Sequence, residues 1–294
     1  IRVGMVHFMA YPQCMGGAGP ILETVARIAE DVFFEVIEIT QINDPPVRAQ
    51  VRALAQQAGV ELYFGAQPIL LSQQLDLNHA DATQRRRAVQ AVQHGIDLAA
   101  ELCCRRVAIL SGKVTSDKEA AKARLVGSIK ELCAYAALKH ITLVLETFDQ
   151  VPFAKNCLIG PTKEAVEVSQ EIRRNFPNFG LMLDLSHLPL LNESPQYALR
   201  TAAGHLVHAH IGNCAMDDPG HEAYGDNHPR FGAPGTRNGV PELAEFLRGL
   251  LDIGYLSQEN RGILSFEVKP MSGESAEAVI AGSKRALLEA WRRI

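Results

Sequence analysis

Along this chain the spacing of hydrophobic and polar positions switches back and forth between two periods. Short apolar, β-branched runs predict strands at 2–8, 34–40, 60–66, 106–111, 142–146, 180–184, 206–211 and 262–268. Between them, longer stretches repeat apolar residues at helical spacing, near 20–30, 46–58, 80–103, 117–139, 162–175, 195–203, 240–253 and 275–293. The stretch 80–103 keeps Ala88, Val92, Gly95, Ile96 and Ala99 on one side, while Arg85, Arg86 and Arg87 lead into solvent. The last stretch repeats Val279, Ala286, Leu287, Ala290 and Trp291. Eight strand–helix units with no linker or low-complexity break predict one α/β domain over 1–294, a single (β/α)8 TIM barrel. A doubly wound sheet would want G-x-G-x-x-G directly after the first strand. Met15-Gly-Gly-Ala-Gly-Pro has other spacing, lies beyond that strand, and reads as a mouth loop.

Composition narrows the picture only modestly. With 47% hydrophobic residues in 294, a sizeable core can form. The net charge of −4 offers no electrostatic footprint for nucleic acid and leaves room for a small anionic substrate. No apolar run is long enough to predict a membrane span. The six cysteines, at 14, 103, 104, 133, 157 and 214, make no Cys-x-x-Cys pair. Reduced, mostly buried thiols in a cytoplasmic protein are expected, and no signal peptide is recognisable.

Two predicted loops are long, 67–79 after the third strand and 212–239 after the seventh. The second carries His221, Asp226, His228, Arg230 and Arg237 among several Gly and Pro. In a barrel both lie at the C-terminal mouth, where active sites form, and a loop of this length reads as a lid or binding loop.

The candidate chemistry sits at the ends of the last four strands. Glu146 ends Thr-Leu-Val-Leu-Glu, Asp184 ends Leu-Met-Leu-Asp, His210 ends Leu-Val-His-Ala-His, and Glu267 ends Leu-Ser-Phe-Glu. Alternation on a strand puts Thr142, Val144 and Glu146 on one face. The same rule groups Gly180 with Met182 and Asp184, Leu206 with His208 and His210, and Ser265 with Glu267 and Lys269. If these faces point inward, three carboxylates and one imidazole converge. That hard, oxygen-rich set suits Mn²⁺ or Mg²⁺, and Co²⁺ less selectively, better than a structural zinc, which prefers Cys and His. Taken singly, each residue has a plainer role. Either glutamate can mark a strand leaving the core, Asp184 can N-cap the short helix that follows, and His210 can be a satisfied core histidine. His187, three residues past Asp184, reads as a cap or as an imidazole facing substrate. Arg230 reads as a solvated loop charge or as a planar donor for substrate oxygens. His208 reads as an inward spacer beneath His210, and Lys269 carries no assigned role.

With these residues in view, the chain resembles the xylose-isomerase-like TIM barrel superfamily of sugar phosphate isomerases and epimerases, related to endonuclease IV. The resemblance spans the chain. It is carried by Leu-Glu-Thr-Phe-Asp at 145–149, Leu-Asp-Leu-Ser-His at 183–187, His-Ala-His-Ile-Gly-Asn at 208–213 and Ser-Phe-Glu-Val-Lys-Pro at 265–270. In ketose 3-epimerases of this type the residues matching the quartet hold the metal, those matching Glu146 and Glu267 also exchange the substrate proton, and those matching His187 and Arg230 contact substrate oxygens. Glu38 resembles a second-strand glutamate of the superfamily. The seventh loop departs from the small epimerases, because 215–228 intervenes before Arg230.

The resemblance implies a divalent-metal-dependent sugar isomerase or epimerase acting on a keto sugar or related polyol. The metal would stabilise an enediolate while two glutamates move the proton between faces. The same intermediate can expel a group at the β-carbon, so the alternative is a lyase, an inosose-type dehydratase or a 3-oxo-glycoside or C-glycoside deglycosidase. A small carbohydrate is the expected ligand, with no nucleic acid and no membrane. A homo-oligomer is an open possibility, as is a second subunit in the deglycosidase case. A DNA-repair nuclease would need further strand-end histidines and a basic surface.

Overall fold

The computed structural model describes residues 1–150, 153 and 155–294. Eight parallel strands close into a barrel in chain order, β1 (Arg2–Val6), β2 (Val36–Ile39), β3 (Glu61–Gly65), β4 (Arg106–Ile109), β5 (Thr142–Glu146), β6 (Phe179–Asp184), β7 (Leu206–Gly212) and β8 (Ile263–Glu267). Eight long helices alternate with them: Ile21–Ala29, Pro45–Ala58, Ala82–Glu101, Lys118–Ala137, Thr162–Arg173, Pro195–Ala202, Val240–Asp252 and Ala276–Trp291. The predicted single (β/α)8 barrel is therefore the fold. Several helix starts follow side-chain caps. Asp81, Asp117, Ser194 and Ser275 each accept from the backbone N–H three residues on.

The differences from expectation cluster at the mouth. Residues 7 and 8 extend no strand, because β1 turns at once into the short helix His7–Ala10. The loop predicted at 67–79 opens with the helix Gln67–Ser72. Pro68 sits in its first turn, and Ile69 and Leu70 bury against the outer core. A third short helix, His187–Leu190, follows β6.

Inside the barrel, two small apolar clusters fill the layers below the mouth. One is Val36, Tyr63 and Ile263; the other is Ala108, Val144 and Met182, with Val207 packed against it. Leu206 was expected to share the inward face of His208. It joins the outer core instead, because the β6–β7 pairing steps from Leu181↔Leu206 to Met182↔His208. The extra residue restarts the alternation. Gly180 makes room for the step, since a Cβ there would meet Val207 Cγ2 at 2.4 Å. Among the described residues no helix is long and apolar enough to cross a membrane. The six cysteines are free, and only Cys103 is exposed.

Candidate metal centre

Strand register brings the four candidates to one level. Asp184 pairs with His210 across β6–β7, and Gly212 with Glu267 across β7–β8. All four are buried, and each offers an atom within 4.8 Å of the others'. Two of the atoms, Glu146 Oε1 and Asp184 Oδ2, are buried without a hydrogen-bond partner among the described residues. Such orphaned carboxylate oxygens are costly unless a cation completes them. His210 turns Nδ1 toward this space, 2.7 Å from Glu267 Oε2 and 3.7 Å from Glu146 Oε1. The residues present thus fit a hard divalent cation held by Glu146, Asp184, His210 and Glu267.

A second layer holds these ligands in place. The Nε2–H of His210 donates to Glu38, 3.0 Å from Oε2 and 3.1 Å from Oε1, which leaves Nδ1 for the centre. Glu38 also accepts from His208 Nε2 at 2.8 Å. His208 is therefore the inward spacer expected beneath His210, and Glu38 has an orienting role. Gln67 Nε2 donates to Glu146 Oε2 at 2.8 Å, and Ser186 N–H donates to Asp184 Oδ1 at 2.7 Å. Asp184 therefore accepts from Ser186 with one oxygen and leaves the other inward; it does not cap the short helix His187–Leu190, whose N-cap position is Ser186.

Loop 212–239 brings Asp226 and His228 to Lys155, a charged trio to which sequence reasoning gave no role. Asp226, which is buried, reaches His187 Nε2 at 3.0 Å and His228 Nε2 at 2.8 Å through one oxygen, and pairs with the Lys155 ammonium through the other. The His228 contact is an ion pair by distance but is not an aligned hydrogen bond. His228 approaches Glu267 Oε1 at 3.6 Å and Asp184 Oδ2 at 3.8 Å. It fits there because Gly212 has no side chain; a Cβ would lie 2.9 Å from His228 Nδ1. The Asp-x-His spacing of 226 and 228 was the one visible signal for this trio. Lys155 had none.

The electrostatics follow from burial and an excess of carboxylates. Burial alone would lower His210, but Glu38 and Glu267 outweigh it and hold the imidazole well above its ordinary value. His187 behaves likewise: burial opposes the charge, Asp226 overcomes it, and the imidazole is pushed up to about 10. Its Nδ1 faces the Thr147 carbonyl at 2.7 Å and its Nε2 faces Asp226, so both neighbours are acceptors and both ring nitrogens carry protons. Against its own burial, Asp226 is held well below the carboxylate range by His187 and Lys155. Burial raises Asp184.

Over this floor lies a cavity of about 600 Å³. Phe8, Met9, Met15, Pro68 and Leu71 form an apolar wall, while Glu146, Lys155, His210, Asn227, Glu267 and Lys269 face them. Two expected contacts are not brought to it. His187 is fully buried behind the ligands with both nitrogens engaged, because Asp226 arrives from the loop to meet it. The Arg230 side chain is 45% exposed and pairs outward with Glu274 at 2.9 Å. The loop borders the cavity through Asp226 and Asn227 and is anchored as a strap. Asn238 Nδ2 donates to the Leu185 and Gly212 carbonyls, and Lys269 N–H donates to the His228 carbonyl.

Residues 27–290 match the family described as xylose isomerase-like TIM barrel. The chain belongs to that family. A D-psicose 3-epimerase of Ruminiclostridium cellulolyticum is 26% identical over 219 residues, covering 68% of each chain. The structure of an L-ribulose 3-epimerase superposes with a TM-score of 0.75 at 20% identity, over 99% of this chain and 96% of the other. The IOLI protein, solved with a bound zinc atom, superposes with a TM-score of 0.75 at 16% identity, over 100% and 99%. In this xylose isomerase-like barrel, the quartet occupies the C-terminal mouth, the end at which barrel enzymes place their chemistry.

Proposed function

We propose that the chain is a divalent-metal-dependent isomerase or epimerase of a keto sugar or related polyol, with Mn²⁺ the favoured ion and Mg²⁺ or Co²⁺ alternatives. The observation that supports the reading is the convergence of four buried strand-end residues in which Glu146 Oε1 and Asp184 Oδ2 have no hydrogen-bond partner among the described residues. The similarity to a D-psicose 3-epimerase supports the substrate class. When bound, the cation would polarise a carbonyl and its neighbouring hydroxyl, acidifying the C–H between them.

The chain's own groups then account for the proton. Glu146 ends β5 and Glu267 ends β8, with β6 and β7 between them, so the two carboxylates face a substrate from different sides. One takes the proton and the other returns one to the opposite face, which inverts the carbon. Gln67 orients Glu146, and His210 orients Glu267. The strap of loop 212–239 and the apolar wall exclude water from the carbanionic stage. Incubating the Mn²⁺-loaded protein in D₂O with D-psicose, D-fructose, D-tagatose and L-ribulose should place deuterium beside the carbonyl and yield an epimer or isomer. A fully metal-loaded protein that does neither would sink the reading.

One observation favours a second reading. The apolar wall lines the same cavity as Glu146, His210 and Glu267 and offers a surface for a group attached to the sugar. Elimination of that group, as in a dehydratase or a 3-oxo-glycoside deglycosidase, would use the same proton abstraction. Release of water or an aglycone from inososes and 3-oxo-glycosides, without epimerisation, would select it.

A further inference from the structure

The cationic arm that sequence reasoning sought at Arg230 has a better candidate after β5. Lys155 lines the cavity and is anchored at both ends. Its backbone N–H lies 3.1 and 3.3 Å from the two Asp149 carboxylate oxygens. Its ammonium pairs with Asp226 and stands 4.9 Å from the centre of the Phe148 ring. Asp226 cannot swing away, because His187 and His228 grip its other oxygen. The Asp226 side chain is fully enclosed, whereas that of Lys155 keeps 22% of its surface open and lines the cavity. An ammonium has three N–H donors, and Asp226 does not use them all. Burial disfavours the charge here, but Asp226 outweighs it and keeps the amine protonated.

We infer that Lys155 is a substrate-contacting residue, whose clamped ammonium donates to an oxygen of the keto sugar beside the carbon worked on by Glu146 and Glu267. The inference rests on the keto-sugar reading above. A charge-assisted hydrogen bond from a preorganised donor stabilises an oxygen that gains negative charge as the proton leaves, and it does so without reorganisation at that moment. Both anchors reduce the ordering that a free lysine would undergo on binding.

The test uses the full Mn²⁺-loaded chain and the four ketoses named above. Paramagnetic broadening of the sugar ¹³C resonances reports binding whether or not turnover occurs, and deuterium wash-in reports proton exchange. Lys155→Met should keep the bound Mn²⁺, weaken sugar binding, and lower kcat/KM by roughly tenfold or more, a loss of about 1.4 kcal/mol of transition-state stabilisation. Lys155→Arg should recover part of that loss, and added ethylammonium should partly rescue Lys155→Ala, which a merely structural defect would not allow. Equal broadening and exchange in wild type and Lys155→Met would overturn the inference, as would activity lost only together with the metal. Sugar binding that depends on Lys155 without any wash-in would overturn the isomerase reading and leave the lysine standing. If wild type broadens none of the sugars, both fall.

Discussion

Two histidines at the barrel mouth, His7 just after β1 and His210 in β7, are both buried, yet their surroundings push them in opposite directions. His7 Nε2–H donates to Thr24 Oγ1 at 2.8 Å, and burial drops its pKa to about 4. His210 is equally enclosed, but Glu38 and Glu267 lie within hydrogen-bond reach and hold it well above its usual value. A cation arriving at Nδ1 would displace that proton. The contrast follows the two halves of the mouth. The β1–β4 side supplies Phe8, Met9, Pro68 and Leu71 as a wall. The β5–β8 side supplies carboxylates whose charge must be met by protons, by Lys155 or by a metal. One half mainly shapes the cavity, with Glu38 of β2 reaching across to His210; the other half stores most of the charge.

The contrast breaks most sharply if the charged half tolerates neutralisation. Glu267→Gln should cost roughly 10²–10⁴-fold in turnover, the usual range for a lost acid–base group, and should lower the bound metal measured by elemental analysis. Full activity with full metal would refute the quartet. Asp226→Ala removes the shared partner of two imidazoles and a lysine. It should cost about 3–5 kcal/mol in denaturant unfolding and raise hydrogen exchange across 212–239, as expected when a buried pair loses one member. An unchanged midpoint would show that the strap is held by its backbone bonds alone.

The quieter half should announce itself in acid. The folded-state pKa of His7 is depressed below its unfolded value, so the unfolded chain binds the proton more readily. Stability is therefore intact above pH 6.5 and falls as the pH drops toward 4, by about 3 kcal/mol if the full shift acts. Unfolding free energies from urea titrations of wild type and His7→Gln over that window should diverge by this amount; parallel curves would remove His7 from the account. Saturating Mn²⁺, at a hundred times its dissociation constant, should raise stability by about 2.7 kcal/mol, and Glu146→Gln should blunt the gain. The smallest effect belongs to Arg230. As an exposed ion pair with Glu274 it is worth about 0–1 kcal/mol, so Arg230→Ala should leave metal content and kcat/KM nearly unchanged. A large kinetic loss in that variant would return Arg230 to the site.

The barrel and the convergence of the four strand-end residues were legible along the chain because both obey local periodicity. A strand that alternates inward and outward must leave its last inward residue at the mouth, so Glu146, Asp184, His210 and Glu267 could be placed from spacing alone. Where periodicity broke, the reading slipped. The bulge in β7 sent Leu206 outward and Val207 inward, and nothing local in Leu-Val-His marks an inserted residue.

What only the tertiary structure decided is which side chains share charge across distant segments. His187 was nominated for substrate, but Asp226 comes from a loop 39 residues away and takes its Nε2. Arg230 was nominated because arginine suits sugar oxygens, but the loop turns it toward Glu274. Lys155 carried no signal at all, since its function rests on Asp226, 71 residues on, and on the Phe148 ring beneath it. Strand alternation is a property of neighbouring peptides and can be read in order. The direction of a loop side chain is set by the opposite charge it meets after the chain has closed, and the sequence holds no local record of that meeting.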